Sequence, residues 1–209
     1  STGSGKSVLL KLVLMQCVKK GAKVYIADFK GGVDFPPIWH TKCSLLTEEK
    51  TLHKVLVSIT DELQSRKQIL RTAGVANIDE YNRNAEKKLY RSVFACDEIA
   101  EVLDKTGLSK QQKDEILKIE SELSIIARQG RAFGIHLVLA TQRPDAAILN
   151  GQIRNNIDTR ICGRADNVLS QIILDNTDAS DKIAKSSQGR FLTNSGKIFQ
   201  AYWFDENIL

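Results

Sequence analysis

Seven residues at the start of the chain restrict its fold more than any other feature. Ser1-Thr2-Gly3-Ser4-Gly5-Lys6-Ser7 follows the pattern G-x-x-x-x-G-K-S/T from its second position onward. Glycines in such a loop let consecutive backbone amides close around phosphates at the start of a helix. The pattern assigns Lys6 to the β and γ phosphates of ATP and the Ser7 hydroxyl to Mg²⁺. The stretch through Thr2, Gly3, Ser4, Gly5 and Val8 lines the cradle. Its first glycine would precede Ser1, and a strand normally leads into such a loop. The chain, 1–209, is therefore expected to be one nucleotide-binding unit within a longer protein, with that strand ahead of it.

Behind the loop, Val8, Leu9, Leu12, Val13 and Val18 are the apolar positions of a helix, and 23–27 reads as a short strand. Over 48–71 the residues Leu52, Val55, Leu56, Ile59, Leu63 and Leu70 recur at steps of three and four, which predicts a long amphipathic helix. Buried strands are expected at 92–95 and 136–140, with a helix over 114–128 between them. Asn194-Ser195-Gly196 suits the turn of a hairpin joining 189–193 to 197–203. Parallel neighbours need crossover connections, so this alternation predicts an α/β fold: a mostly parallel sheet, helices on both faces, and an antiparallel hairpin near the C-terminus.

Composition excludes several classes. With 42% hydrophobic residues in 209, one large core can be filled. The apolar runs are far too short to cross a bilayer. Cysteines at 17, 43, 96 and 162 form no C-x-x-C pair, so neither a zinc site nor a disulfide framework is signalled, and a reducing setting fits. The net charge of +5 is compatible with a polyanionic partner, as it is with many ordinary soluble domains.

The run Val93-Phe94-Ala95-Cys96-Asp97-Glu98 is an apolar strand ending in acids. Asp97 at that edge would serve the Mg²⁺ shell, and Glu98 would polarise the attacking water as general base. Adjacent acids alone usually mark a helix N-terminus; combined with the phosphate loop they point to hydrolysis. Leu137 to Ala140 form a second apolar run that ends in Thr141 and Gln142, where Gln142 is placed to sense the γ phosphate or align water. By itself a Thr-Gln pair is a plain strand-end cap.

Longer stretches carry a resemblance. Asp28-Phe29-Lys30-Gly31-Gly32 follows the second strand, Gly74 to Asn82 follows the long helix, and Ala127-Arg128-Gln129-Gly130-Arg131-Ala132-Phe133-Gly134 runs into Ala140-Thr141-Gln142-Arg143-Pro144. Together with Ile153 to Ile161 and Ser170 to Asp175, these resemble the FtsK/SpoIIIE translocases over nearly the whole chain. Gly31-Gly32-Val33-Asp34-Phe35 is more similar to the coupling ATPases of conjugation. The resemblance implies a RecA-like P-loop NTPase core that assembles as a homo-hexamer around duplex DNA and moves it by ATP hydrolysis. It also implies a membrane anchor outside this chain, a place at the cytoplasmic face of the cell membrane, and relaxase or other transfer-machinery partners. In such rings an arginine of the neighbouring subunit stabilises charge on the transferred phosphoryl group. Arg131 is the first candidate for that role, ahead of Arg128, Arg160 and Arg164.

A DNA motor must grip phosphates without reading bases. Two segments offer the charges: 105–113, taken as a loop with Lys105, Lys110 and Lys113, and 150–156 with Arg154. Each is equally a solvated loop. Two other readings compete: a type VII secretion-like ATPase of the same fold that moves proteins, and a degenerate loop that only binds nucleotide. Intact Lys6, Ser7, Asp97 and Glu98 argue against the last.

Overall fold

The structure is a computed structural model that describes residues 3–30, 33–142 and 151–209. Its larger layer runs α1 (Lys6–Lys19), β1 (Lys23–Ala27), α2 (Pro37–Lys42), β2 (Ser44–Leu46), α3 (Glu49–Ala73), α4 (Ile78–Asn84), β3 (Ser92–Cys96), α5 (Ile99–Leu103), α6 (Lys110–Gln129) and β4 (Ile135–Leu139). These strands form a parallel sheet in the order β2-β1-β3-β4. The period of two in each strand sends alternate residues to opposite faces. Val24, Ile26, Val93 and Ala95 meet Leu10 and Leu14 of α1. Tyr25, Ala27, Phe94 and Cys96 meet α3 and α6 through Leu56, Leu63 and Leu123. Each face thus buries its own apolar layer, and each fully buried leucine stabilises the fold by about 1.5–3 kcal/mol. The expected helices on both faces of a parallel sheet are present.

A second layer contains α7 (Gly151–Arg154), β5 (Ile161–Cys162), α8 (Asn167–Leu174), α9 (Asp178–Lys182), β6 (Arg190–Thr193) and β7 (Ile198–Gln200), with an antiparallel sheet in the order β5-β6-β7. The expected hairpin is β6 and β7, with β7 shorter than 197–203, and β5 adds a third strand to it. A cavity of about 470 Å³ separates this layer from β4, lined by Leu137, Leu139 and Ala140 on one side and Ile161 and Cys162 on the other. Among the described residues, β4 and β5 each have one unpaired edge.

One helix begins earlier than its periodicity suggests. Ser109 Oγ accepts from Gln112 N at 3.4 Å, and Gln112 Oε1 accepts from Ser109 N at 3.0 Å, a reciprocal capping box that starts α6 at Lys110. Lys110 and Lys113 therefore sit on a helix rather than in a loop, and Lys105 pairs with Glu120 at 2.6 Å.

The Gly130-Arg131-Ala132-Phe133-Gly134 segment is a tight connection from α6 into β4. A Cβ on Gly130 would lie 2.4 Å from the Ile135 carbonyl oxygen, so no larger residue fits without moving the backbone. Arg66 braces the same connection from below: Nη1 donates to Phe133 O at 2.7 Å, and Nη2 pairs with Glu62 at 2.5 Å.

Candidate active site

Parallel strands place their C-terminal ends at one rim, where functional side chains of α/β sheets gather. Here β1 leads to Asp28 and Lys30, β3 to Asp97 and Glu98, and β4 to Thr141 and Gln142. Lys6, at the first turn of α1, lies against the same rim. Its ammonium is 3.1 Å from Asp97 Oδ1 and 3.5 Å from Glu98 Oε2, and it donates to the Asp97 carbonyl. Lys30 Nζ is 3.3 Å from the other carboxylate oxygen of Asp97. The backbone N–H of Gln142 donates to both Glu98 oxygens, at 2.9 and 3.1 Å, and the Thr141 hydroxyl donates to Oε1. Residues from four separated stretches of sequence thus share one network. Asp97 is 2% exposed and Glu98 8%, which makes the local dielectric low and these contacts strong.

The phosphate loop needs its glycines for backbone shape. Gly5 has φ +92°, and a Cβ there would meet Gly189 Cα at 3.0 Å. The Gly189 N–H in turn donates to Ser4 O at 2.9 Å, so the second layer buttresses the loop. Among the described residues no side chain caps α1, which leaves its first-turn amides to a ligand. Ser7 and Val8 occupy that turn, and Gly3 precedes it at φ +75°. Thr2 lies outside the described residues, as do Gly31, Gly32, Arg143 and Pro144.

Neighbouring acids act on Lys30 at the rim. Partial burial works against the Lys30 ammonium, but the Asp97 charge and hydrogen bond, with Glu98 and Glu101 behind them, outweigh it and raise its pKa. Burial pushes the Cys96 thiol up to about 12, against a smaller opposing effect of the Glu98 backbone hydrogen bond. Next to the acids sits an inert thiol rather than a nucleophile.

The other sequence-derived candidates are spread more widely. Arg131 is 79% exposed, pairs with Asp158, and sits before the N-terminal end of β4, a strand's length from the rim that holds Lys6. It does not join the network around Lys6, Asp97 and Glu98. Arg128 is exposed near the end of α6. Arg160 pairs with Asp175 at 2.6 Å. Arg164 lies by its own phosphate loop, with Nη2 3.2 Å from where a Gly3 Cβ would be. Lys110 is exposed, whereas Arg154 is half-buried and borders the larger cavity together with Lys6 and Gln142.

Asp28, Lys30 and Thr141 join the network without having been singled out as site residues. Their shared signal is position: each stands within three residues of a strand's C-terminal end.

The residues fit magnesium nucleotide. Asp97 Oδ1 is buried and, among the described residues, makes no hydrogen bond, only the ion pair with Lys6; the Ser7 hydroxyl lies one residue from that lysine. Among the described residues no group of three or more His, Cys, Asp or Glu is set to hold a metal. Mg²⁺ keeps several waters and takes one or two carboxylates plus phosphate oxygens, a demand that Asp97 beside the phosphate loop can meet.

The sequence model of the FtsK/SpoIIIE family matches residues 1–119. The chain belongs to the FtsK/SpoIIIE family. The DNA translocase FtsK of Chlamydia pneumoniae is 32% identical over an alignment 193 residues long that covers 87% of this chain and 24% of that protein. The chain thus spans about a quarter of that FtsK relative. Among solved structures, the pCW3 conjugation coupling protein TcpA, in monomer form with ATPγS, matches at 41% identity and TM-score 0.92 over 100% of this chain and 60% of TcpA. The cytoplasmic domain of the type VII secretion ATPase EccC from Thermomonospora curvata matches at 25% identity and TM-score 0.74, covering 97% of this chain and 24% of EccC. The FtsK/SpoIIIE chain therefore has the fold of P-loop ATPases. No helix among its described residues is long and apolar enough to cross a membrane.

Proposed function

We propose that this chain is the ATP-hydrolysing motor of a DNA translocase, acting in conjugative transfer or chromosome segregation. The observation that carries the reading is the meeting of Lys6, Asp97, Glu98 and the Thr141-Gln142 pair at one sheet rim. Lys6 binds the terminal phosphates, and Ser7 and Asp97 hold Mg²⁺. When bound, the metal screens phosphate charge and orients the chain of oxygens. Glu98 accepts a proton from the attacking water. Thr141 and the Gln142 amide orient that carboxylate, while the Gln142 side chain faces the γ phosphate. Arg131 acts on the site of the next subunit in a homo-hexamer. A membrane anchor elsewhere in the protein would hold that ring at the cytoplasmic face, within reach of a relaxase or other transfer proteins.

DNA is favoured over protein as the cargo because the TcpA match is much closer than the EccC match in both identity and fold. The test is ATP turnover with and without duplex DNA. Duplex DNA is expected to raise turnover, whereas turnover indifferent to DNA would favour a secretion-like motor. Lys110 and Arg154 are the proposed phosphate-binding cations. Charge reversal at either is expected to lower the ratio of DNA-stimulated to basal turnover. It should also reduce the salt slope of DNA binding by about 1 for each phosphate no longer neutralised. An unaltered ratio and slope remove that residue from the DNA path.

A further inference from the structure

One buried carboxylate at the rim is left without a role in this reading. Asp28 follows β1 as Asp97 follows β3, and the pairing of Ala27 with Cys96 sets the two acids side by side on neighbouring strands. Parallel strands lie about 4.8 Å apart and neighbouring side chains in register share a face. Each aspartate is 2% exposed. Asp28 Oδ1 accepts from the Lys30 N–H at 3.0 Å, while Asp28 Oδ2 is buried with no hydrogen-bond partner among the described residues. A buried carboxylate oxygen is not left bare without cost.

The surroundings indicate what offsets that cost. Asp28 lines a cavity of about 110 Å³ with Asp97, Glu98, Glu101, Glu49 and Lys30. Five carboxylates line it with the Lys30 ammonium, and Lys6 contacts two of them, Asp97 and Glu98, which leaves a surplus of negative charge that suits a hydrated cation. Cationic side chains already neutralise Asp97 from two sides, Lys6 at 3.1 Å on Oδ1 and Lys30 at 3.3 Å on Oδ2. Lys6 is the residue the ATPase reading sends to the nucleotide, which leaves Lys30 as the ammonium competing with metal for Asp97.

We propose that Asp28 is a second acid of the magnesium site, holding the hydrated ion from its outer side next to Asp97, and that Lys30 is the counter-charge the ion displaces. The inference rests on the ATPase reading, because magnesium enters this rim with the nucleotide. Asp28 supplies an acceptor oxygen for the hydration shell, and such outer partners commonly carry about 10–100-fold in metal affinity. Lys30 has a 34% exposed side chain and a short path to solvent when a divalent charge takes over its carboxylate. The Asp-x-Lys spacing then gains a purpose: the acid that assists the metal and the lysine that yields to it stand on one turn.

Manganese titration followed by electron paramagnetic resonance, with a non-hydrolysable ATP analogue bound to the protein, tests this directly. Asp28→Asn is expected to weaken Mn²⁺ by about 10-fold or more. Lys30→Met is expected to tighten it several-fold, because a competing charge is gone. A fluorescent ATP analogue in EDTA separates the metal site from the nucleotide site. Metal-free binding by the unsubstituted protein upholds the nucleotide site, and its absence overturns that reading and this one together. If nucleotide binds, Mn²⁺ affinity in Asp28→Asn within twofold of the parent overturns the role of Asp28 alone. Should Asp28→Asn fail to fold, Lys30→Met decides: tighter Mn²⁺ supports the pair, and unchanged or weaker Mn²⁺ overturns it.

Discussion

Glu98→Gln is expected to stop ATP turnover while leaving nucleotide bound, with kcat lowered by about 10²–10⁴-fold. The carboxylate is held by the Gln142 N–H at 2.9 and 3.1 Å and by the Thr141 hydroxyl, so its orientation is fixed before substrate arrives. An amide keeps an acceptor oxygen for those donors but cannot take a proton from water. Lys6, at 3.5 Å from Glu98, loses only one of its two acidic neighbours. Single-turnover hydrolysis measured beside retention of a fluorescent ATP analogue checks both halves of the result. Turnover within a few-fold of the parent would place the base elsewhere.

Arg66→Ala is the substitution expected to cost the most stability. Arg66 is 2% exposed on α3, yet it carries a full charge. Its guanidinium joins Glu62, the Phe133 carbonyl and, at 3.3 Å, the Ser92 hydroxyl, and lies 5.1 Å from the centre of the Tyr90 ring. One side chain thus ties α3 to the start of β3 and to the turn that feeds β4. Removing one member of such a buried set costs about 3–5 kcal/mol, because the partners stay buried without it. For a chain of this size each kcal/mol moves Tm by about 2–4 °C, so a fall on the order of 10 °C is expected by thermal unfolding. Arg66→Lys, which keeps the charge but not the fork, should fall between Ala and the parent. A Tm shift of under about 2 °C for Arg66→Ala would mean that the network is not what holds this corner.

How much of this was legible in the sequence depended on element length. The long helix α3 declares itself by its three- and four-residue steps, and β1, β3 and β4 by apolar runs ending in polar residues. The three residues of β2 and the two of β5 are too few for any period to show, and they are strands only because a neighbour offers an edge. The start of α6 was legible, since Ser109-x-x-Gln112 is a capping signature, but the lysines on either side make that stretch read as a charged loop.

The site divides in the same way. Lys6, Asp97 and Glu98 stand in local motifs whose chemistry follows from the residue types. Asp28 and Thr141 draw their meaning from lying beside Asp97 and Glu98 across strand pairs, and a register between segments some 40–70 residues apart leaves no local mark. Arg66 is hidden for a further reason. It stands on the apolar stripe of α3, seven residues after Ile59 and four before Leu70, yet its residue type reads as a surface charge, and only the packing of Glu62, Ser92 and Phe133 around it accounts for its place in the core.

A crystal structure of the protein with Mg²⁺ and a non-hydrolysable ATP analogue is the most direct test of the account. The terminal phosphate should lie within hydrogen-bond reach of Lys6 Nζ, with the metal on the side of Ser7 and Asp97 and the Gln142 side chain facing the phosphate. Nucleotide bound away from this rim, with Lys6 still clasped between Asp97 and Glu98, would contradict it.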